Sequence, residues 1–359
     1  MVKFIYFTNE NETMPEYALL RQLCSAPGPP GFEDKVAELI ISELDRLGFE
    51  YEADSIGNLY VELGGGRPLT LLSAHMDEIG FMVTHVTDEG FLKVTNLGGV
   101  NPGTAIGNLV TVLTHEGGVY GVVGATPPHL LKNGRKELTI DDLFVDIGAS
   151  SREEAHALGV DRGAPIVFRS YFISEGGSVI GKALDDRVGC YVLLKALEKA
   201  EEPEHGKIVV AFTVQEEVGG RGASTLAHRF KPDIGISIEG TIANDTPGTP
   251  SEKIVTKAGE GAAIRLMDAT IIAQRKLVDY IVELAKRENI KFQFQISPKS
   301  GTDAKWYIQL GASSAGISVP VRYIHSSYSL AFKKDIEAVI NLLKVVIEDN
   351  FRKLEIVKY

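Results

Sequence analysis

Four apolar runs in the sequence each lead to residues that can bind a metal ion or a proton. The clearest run, residues 209–214, is rich in β-branched residues and is followed by Gln215, Glu216 and Glu217, after which the chain turns through glycines. This pattern predicts a buried strand that delivers two carboxylates to a tight turn. Adjacent carboxylates at the end of a core strand repel each other and lose solvation, so a metal ion would stabilise them. A solvated Glu-Glu pair in a loop is the alternative interpretation.

The other three runs have the same arrangement. They are residues 69–74 followed by His75 and Asp77, residues 233–238 followed by Glu239, and residues 315–319 followed at a short distance by His325. In open α/β sheets, ligand sites form just beyond the carboxyl ends of the strands. The sequence therefore predicts one shared site at that edge of a sheet.

Asp185 is the fifth candidate, at the start of a helix predicted over residues 188–200. A carboxylate there is also an ordinary helix cap, which is the simpler interpretation of this residue alone. Taken together, two histidines and several carboxylates without cysteine fit Zn²⁺ or a similar first-row divalent ion. One carboxylate in such a set can bridge two ions about 3.5–4 Å apart.

Composition limits the class of protein. With 359 residues, the chain is expected to form one large domain or two unequal ones. A formal net charge of −11 argues against nucleic acid and anionic membranes as partners, and no apolar stretch approaches the length of a membrane span. The two cysteines, Cys24 and Cys190, make no disulfide framework, and the N-terminus has no signal-peptide core. A cytoplasmic location is expected.

The texture of the sequence changes between residues 79 and 170. Short Val, Ile and Phe runs are broken there by glycine and proline, which is typical of a small β-rich domain. The predicted organisation is an α/β domain formed by residues 1–78 and 171–359, with residues 79–170 inserted. The predicted helices are 33–47, 188–200, 223–230, 271–288 and 334–354, and the further predicted elements are a hairpin over 49–62 and strands over 207–215, 234–238 and 291–296.

The chain resembles the M42 metallo-aminopeptidases, the family that includes the tetrahedral TET peptidases and deblocking aminopeptidases. The resemblance runs nearly end to end and rests on an ordered set of motifs at residues 26–33, 74–80, 184–187, 215–219, 301–304 and 322–326. It implies a mixed-sheet α/β catalytic domain of the zinc-peptidase type, interrupted by a PDZ-like β-barrel that mediates dimerisation. It also implies dimers and a dodecameric tetrahedron that admits peptide substrates.

The resemblance further implies two divalent metal ions in each subunit, with zinc expected and cobalt as the alternative. His75 and Glu239 match the ligands of one ion, Glu217 and His325 match those of the other, and Asp185 matches the bridging carboxylate. Glu216 matches the general base that activates a metal-bridging water, and Asp77 matches the residue that orients a ligand histidine. Asp77 as a simple turn residue is the alternative.

The sequence departs from the family pattern at Glu239, where many members have Asp, and at Lys305 and Trp306, where small residues are frequent. Lys299 and Lys305 raise the hypothesis of a preference for acidic N-terminal residues, against the alternative that both lysines are solvated. Two other functions stay open: an endoglucanase-like glycoside hydrolase, which would use a metal-free carboxylate pair, and a non-catalytic metal-bound scaffold that binds peptides.

Overall fold

A computed structural model describes residues 17–127, 137–169 and 171–354. In these residues an 11-stranded mixed sheet carries helices, and six further antiparallel strands close into a separate barrel. The predicted mixed α/β fold with a β-barrel is confirmed. The N-terminal residues 1–14 and the proposed boundary at residue 170 lie outside the described part, and the domain limits stay a prediction.

The strands, numbered in chain order, are β1 (Glu52–Ala53), β2 (Leu59–Gly64), β3 (Leu69–His75), β4 (Gly80–Val86), β5 (Leu92–Leu97), β6 (Leu109–Thr114), β7 (Gly117–Ala125), β8 (Leu143–Asp146), β9 (Pro165–Phe168), β10 (Ile173–Glu175), β11 (Ser178–Gly181), β12 (Lys207–Thr213), β13 (Ile234–Ile242), β14 (Ala262–Asp268), β15 (Phe292–Ser297), β16 (Ser313–Arg322) and β17 (Ser329–Phe332). The helices are α1 (Ala18–Ser25), α2 (Asp34–Leu47), α3 (Pro102–Ala105), α4 (Arg152–Ala157), α5 (Leu184–Lys199), α6 (Arg221–Phe230), α7 (Arg275–Arg287), α8 (Ala304–Gln309) and α9 (Lys333–Asp349).

The centre of the large sheet is parallel. Strands β12, β3, β13 and β16 are neighbours in that order and run in one direction. Antiparallel strands β2 and β17 flank them, and β14 joins β16 antiparallel while β15 extends β14 in parallel. The four strands whose sequences lead to candidate ligands therefore have their carboxyl ends at one edge of the sheet.

Helices cover both faces of this sheet, so its central strands are buried on both sides. One face packs against α1, α2, α5, α7 and α9 in the largest apolar cluster, and the other packs against α6 and α8. Strand β12 shows the pattern clearly, since all its residues except Lys207 are buried. No helix in the described residues is long and apolar enough to cross a membrane.

The barrel lies between β3 and β10 in the chain. Its strands follow the closed order β4-β5-β8-β7-β6-β9, with every pair antiparallel. The barrel has its own apolar core, which includes Phe81, Val110 and Val145. Between β5 and α3 a Gly98-Gly99 loop leaves the barrel and approaches the edge of the large sheet, where its two glycines lie beside Glu217 and His325.

Most predicted elements are present, and the differences lie at their ends. The first predicted helix is α2, which ends at Gly48 in a left-handed conformation (φ 80°) that glycine adopts without strain. The hairpin is present as β1 and β2, with the Asp54 carboxylate accepting hydrogen bonds from the backbone of Ile56, Gly57 and Asn58.

Several predicted boundaries are wrong. Helix α5 begins at Leu184 and not at residue 188. Strand β12 ends at Thr213 and not at residue 215, because Gln215 has a φ of 58° that no strand accommodates. Strand β13 continues to Ile242, so Glu239 lies inside the strand. Helix α7 begins at Arg275 and not at residue 271, since Ile272 forms a β-bridge with Met267. Helix α9 ends at Asp349 and not at residue 354, because Asn350 and Phe351 have positive φ.

Candidate metal centre

The candidate residues reach the sheet edge from five separate elements, one of which is β13 with Glu239. His75 is the last residue of β3, and Glu216 and Glu217 lie in the turn between β12 and α6. Asp185 lies in the first turn of α5, and His325 follows β16 with a left-handed backbone (φ 58°). These elements are distant in the sequence, so their meeting is a consequence of the fold.

Asp185 lies between the two histidines. Its Oδ1 atom is 3.4 Å from His75 Nε2, and its Oδ2 atom is 3.2 Å from His325 Nε2. Each carboxylate oxygen therefore faces a different imidazole. The ring nitrogen of His325 also lies 3.3 Å from Glu217 Oε1. Candidate ligand atoms of His75, Asp185 and Glu217 lie within 4.8 Å of one another and could hold a metal ion.

The charge balance of this cluster favours a cation. Burial alone would lower the pKa of His325, but its ring nitrogen faces the carboxylates of Asp185 and Glu217, whose negative charges raise its pKa to about 11. The same competition raises the pKa of His75 well above its ordinary value, with Asp185 and Asp77 as the carboxylate partners. The carboxylates thus attract positive charge to the two rings, and a divalent ion would supply it in place of protons.

Four buried carboxylate oxygens in the described part of the chain have no hydrogen-bond partner: Asp185 Oδ1, Glu217 Oε1, Glu239 Oε1 and Asp303 Oδ1. Buried charged oxygens are normally paired or bound to a metal. Oxygen and imidazole donors of this kind suit Zn²⁺ and related ions. The residues present therefore fit a metal ion.

Asp77 supports both halves of the site. It is fully buried, and its two carboxylate oxygens accept hydrogen bonds from the backbone N–H groups of Glu216 (2.9 Å) and Glu217 (3.0 Å). Its backbone oxygen lies 3.1 Å from His75 Nδ1, and its Oδ1 lies 3.4 Å from the same nitrogen. The side chain thus fixes the carboxylate turn, while the residue as a whole also faces the imidazole.

Glu216 is half-buried and forms no ion pair with a lysine or arginine in the described residues. Burial raises the pKa of its carboxyl group to about 8, His75 lowers it, and the charges of Asp303, Glu217 and Asp77 raise it further. A carboxyl group with a pKa near neutrality can accept and return a proton at neutral pH.

Glu239 has a different environment from the other candidates. It is 6% exposed, and its Oε2 atom is 3.6 Å from Nη2 of the buried Arg265 on β14. The cluster of mutually close ligand atoms does not include Glu239. Burial raises its pKa well above the ordinary value against the influence of Arg265, and the carboxylates of Glu216, Asp186 and Asp185 add to the rise.

Two positioning residues were not predicted from the sequence. Asp186 is buried, and its carboxylate accepts hydrogen bonds from the backbone N–H groups of His75, Gly189 and Gly240, so it ties β3, α5 and β13 together. Asp303 accepts a 2.6 Å hydrogen bond from Thr213 Oγ1 at the end of β12. The family motifs at residues 184–187 and 301–304 contain these two residues, but neither motif indicated their roles.

The turn that carries Glu216 and Glu217 is also held from α8. Trp306 Nε1 donates a hydrogen bond to Gly219 O (3.1 Å), and Lys305 lies close to Gly220. The unusual Lys305-Trp306 pair thus packs against the turn. Lys299 is exposed, and neither lysine lines the cavity beside His325.

That cavity, with a volume of about 660 Å³, lies between the barrel and the loop that follows β16. The barrel supplies Asn101, Thr104 and Asn108, and the loop supplies residues 323–328. Ser327 Oγ donates a 2.7 Å hydrogen bond to Asn108 Oδ1 across the cavity wall. Space for a ligand therefore adjoins the candidate centre.

Comparison with known proteins gives a consistent result. A family model described as M42 glutamyl aminopeptidase matches residues 57–342. Among curated relatives, the lysyl aminopeptidase of Pyrococcus furiosus is 34% identical, over 94% of this chain and 98% of the relative.

Two solved structures illustrate the structural match. The TET1 peptidase of Pyrococcus horikoshii, described as able to assemble into a tetrahedron or a large octahedral shell, is 36% identical, with a TM-score of 0.82 over 92% of this chain and 98% of that one. A structure titled endoglucanase from Thermotoga maritima is 32% identical, with a TM-score of 0.75 over 92% of this chain and 96% of that one. With the family model covering most of the sequence, these matches show that the chain belongs to the M42 peptidase family.

Proposed function

We propose that this protein is a dinuclear metal-dependent aminopeptidase that removes N-terminal residues from peptides. The observation that carries the proposal is the position of Asp185, whose two carboxylate oxygens face His75 and His325 separately. A carboxylate placed in this way can serve two ions at once.

His75 and Glu239 would hold one ion, Glu217 and His325 the other, and Asp185 both. Zinc is the expected ion, with cobalt as the alternative, because the donors are imidazole nitrogens and carboxylate oxygens. When bound, the two ions supply Lewis acidity that makes water a better nucleophile and stabilises the negative charge that develops on the peptide carbonyl oxygen.

Glu216 would be the general base. It adjoins Glu217 in the turn but forms no ion pair with a fixed cation in the described residues, and its pKa of about 8 suits proton transfer near neutrality. It accepts a proton from the attacking water and returns it to the leaving amine. Asp77 holds the backbone of Glu216 and Glu217, so the base and the adjacent ligand keep a fixed relation.

Peptides are the proposed substrates, because the chain belongs to a peptidase family and a cavity of about 660 Å³ adjoins His325. The preferred N-terminal residue does not follow from the relatives, since one is described as glutamyl and another as lysyl. An acidic preference rests on Lys305 alone, because Lys299 is exposed and Lys305 packs near the carboxylate turn.

The two rival functions make different demands on the site. A glycoside hydrolase with a metal-free carboxylate pair would leave the contacts of His75 and His325 with Asp185 without a role. The endoglucanase name of one similar structure does not decide this, since one fold hosts many activities. A non-catalytic metal scaffold would need no free carboxylate such as Glu216.

The proposal is tested by removing metal and restoring it. The protein is stripped with a chelator, then supplied with Zn²⁺ or Co²⁺, and turnover of Glu, Leu and Lys p-nitroanilides is measured together with carboxymethyl-cellulose hydrolysis. Aminopeptidase activity should disappear on chelation and return with metal. Cellulose hydrolysis that survives chelation would favour the glycosidase, and peptide binding without cleavage in the metal-loaded protein would favour the scaffold. Equal rates on the three anilides would remove the acidic preference.

We further propose self-association into dimers through the barrel, and into a tetrahedral dodecamer. The similarity to the TET1 peptidase, which is described as able to assemble into a tetrahedron, supports this proposal. Light scattering coupled to size-exclusion chromatography should give the mass of twelve chains, and a monomer at micromolar concentration would contradict it.

A further inference from the structure

Arg265 is a buried cation beside one half of the proposed centre. Its side chain is 1% exposed, and its Nη2 atom lies 3.6 Å from Glu239 Oε2. Its Nη1 atom is 2.9 Å from Asp268 Oδ2 and 3.3 Å from Ser300 Oγ. Because a guanidinium group does not lose its proton in proteins, this positive charge is permanent.

The fold makes room for this charge. Arg265 on β14 pairs with Gly316 on β16, and a Cβ atom at Gly316 would lie 3.0 Å from Arg265 Nε. Arg265 Nε itself has no hydrogen-bond partner in the described residues. The glycine therefore admits the guanidinium to the wall of the site, next to Glu239.

The other half of the centre has no such cation. In the described residues, the only basic side chain within ion-pair distance of Glu217 is His325, and Asp185 has only His75 and His325. No lysine or arginine in that part of the chain lies within 4.0 Å of either carboxylate. Of the two proposed metal positions, only the one at Glu239 thus has a guanidinium within ion-pair distance in the described residues.

We infer that Arg265 makes the two metal positions unequal, so that the ion bound by His75 and Glu239 is the weaker and more readily exchanged one. This inference rests on the proposed function. The guanidinium reduces the negative potential that attracts a divalent ion to Glu239. It also lies within ion-pair distance of Glu239 Oε2, whereas Glu239 Oε1 has no hydrogen-bond partner in the described residues. Arg265 acts through Glu239 and is a positioning residue.

The test measures zinc binding and does not depend on turnover. Chelator-stripped protein is titrated in zinc buffers of known free Zn²⁺ concentration, and bound zinc is counted by mass spectrometry. The wild type should bind two ions, with midpoints at least about tenfold apart in free zinc. The variant E239Q should lose or weaken mainly the second, weaker step, and E217Q mainly the first.

Removing the charge of Arg265 while keeping much of its side-chain volume should bring the two zinc-binding midpoints closer together. In Arg265→Met the weaker midpoint should move to at least about tenfold lower free zinc, while Arg265→Lys, which keeps the charge, should retain two separated steps. An unchanged weaker midpoint in folded Arg265→Met would overturn the inference. If that variant does not fold, loss of the tighter ion in E239Q overturns it equally. A wild type that binds no zinc would instead contradict the proposed function.

Discussion

Gly99, in the loop that leaves the barrel, lies directly against His325 in the loop between β16 and β17. Its backbone oxygen is 3.2 Å from His325 Nδ1, and a Cβ atom at position 99 would lie 2.7 Å from the same nitrogen. Neighbouring Gly98 is equally close to Glu217, where a Cβ atom would lie 2.8 Å from Oε2. The barrel therefore contributes to the wall of the candidate centre, and glycine is required where the two parts meet.

The variant Gly99→Ala should displace His325, because the added methyl group overlaps the imidazole. Loss of a contact that orients a ligand histidine typically lowers metal affinity by about 10–100-fold. We therefore expect zinc affinity to fall by about that factor, and kcat to fall as well. Bound zinc after dialysis measures the effect. Gly65→Ala is the matched control, since no atom lies within 4 Å of a Cβ atom there. Normal zinc content and turnover in Gly99→Ala would show that the contact has no role.

Glu216→Gln should abolish most turnover and leave metal content unchanged. The amide keeps the size of the side chain but cannot accept a proton from water, and general-base catalysis typically contributes about 10²–10⁴-fold. We expect kcat to fall by that factor with an unchanged KM. Substantial residual turnover in the metal-loaded variant would remove Glu216 from its proposed role.

Asp77→Asn should disturb the carboxylate turn. The aspartate accepts one backbone hydrogen bond on each oxygen, from Glu216 and Glu217, whereas asparagine offers only one acceptor and turns a donor towards the second N–H. We expect kcat to fall by about tenfold or more, since a buried unsatisfied donor costs about 1–3 kcal/mol.

A matched control exists for this change. Asp335 also accepts two backbone hydrogen bonds, from Gly259 and Gly261, and hydrogen-bonds to none of the candidate ligands. Asp335→Asn should lower thermal stability without a comparable loss of kcat. Equal losses of kcat in the two variants would mean that Asp77 acts only through general stability.

Glu33 should make stability fall as pH rises. Burial raises its pKa from 4.5 to about 7, against the hydrogen bonds that it accepts from the backbone of Gly31 and Gln215. Between these pH values the folded state keeps a proton that the unfolded state has lost, so the contribution is present below pH 4.5 and is lost through pH 7. The loss amounts to about 3–4 kcal/mol.

Glu33→Gln keeps the acceptor oxygen and removes the titration. The difference in unfolding free energy between variant and wild type, measured by urea denaturation at pH 5 and pH 8, should therefore change in favour of the variant as pH rises. A constant difference across this range would mean that Glu33 has an ordinary pKa in the folded protein.

The sequence predicted the arrangement of the sheet edge because the signal there is local. Residues 69–74 and 209–214 are apolar runs followed directly by polar residues, which marks both a buried strand and its end. The ends of elements were less predictable. Glu239 lies inside β13 because the strand continues through Gly240, Thr241 and Ile242, where pairing with β16 outweighs weak local preference.

Contacts between distant segments were beyond the sequence alone. In the sequence, nothing distinguishes Arg265 as a neighbour of Glu239. Strand β14 places it there, and β14 itself was not predicted. Gly98 and Gly99 read as loop residues until the barrel loop meets Glu217 and His325. Such relations depend on tertiary packing between elements more than 20 positions apart in the chain.

Anomalous X-ray scattering from zinc-loaded crystals tests the central claim most directly. Data recorded above and below the zinc absorption edge should show two zinc ions in each subunit, one on each side of the Asp185 carboxylate, with His75 next to one and His325 next to the other. A single ion that leaves Asp185 in contact with only one metal would contradict the dinuclear centre, and zinc bound away from these residues would contradict the site itself.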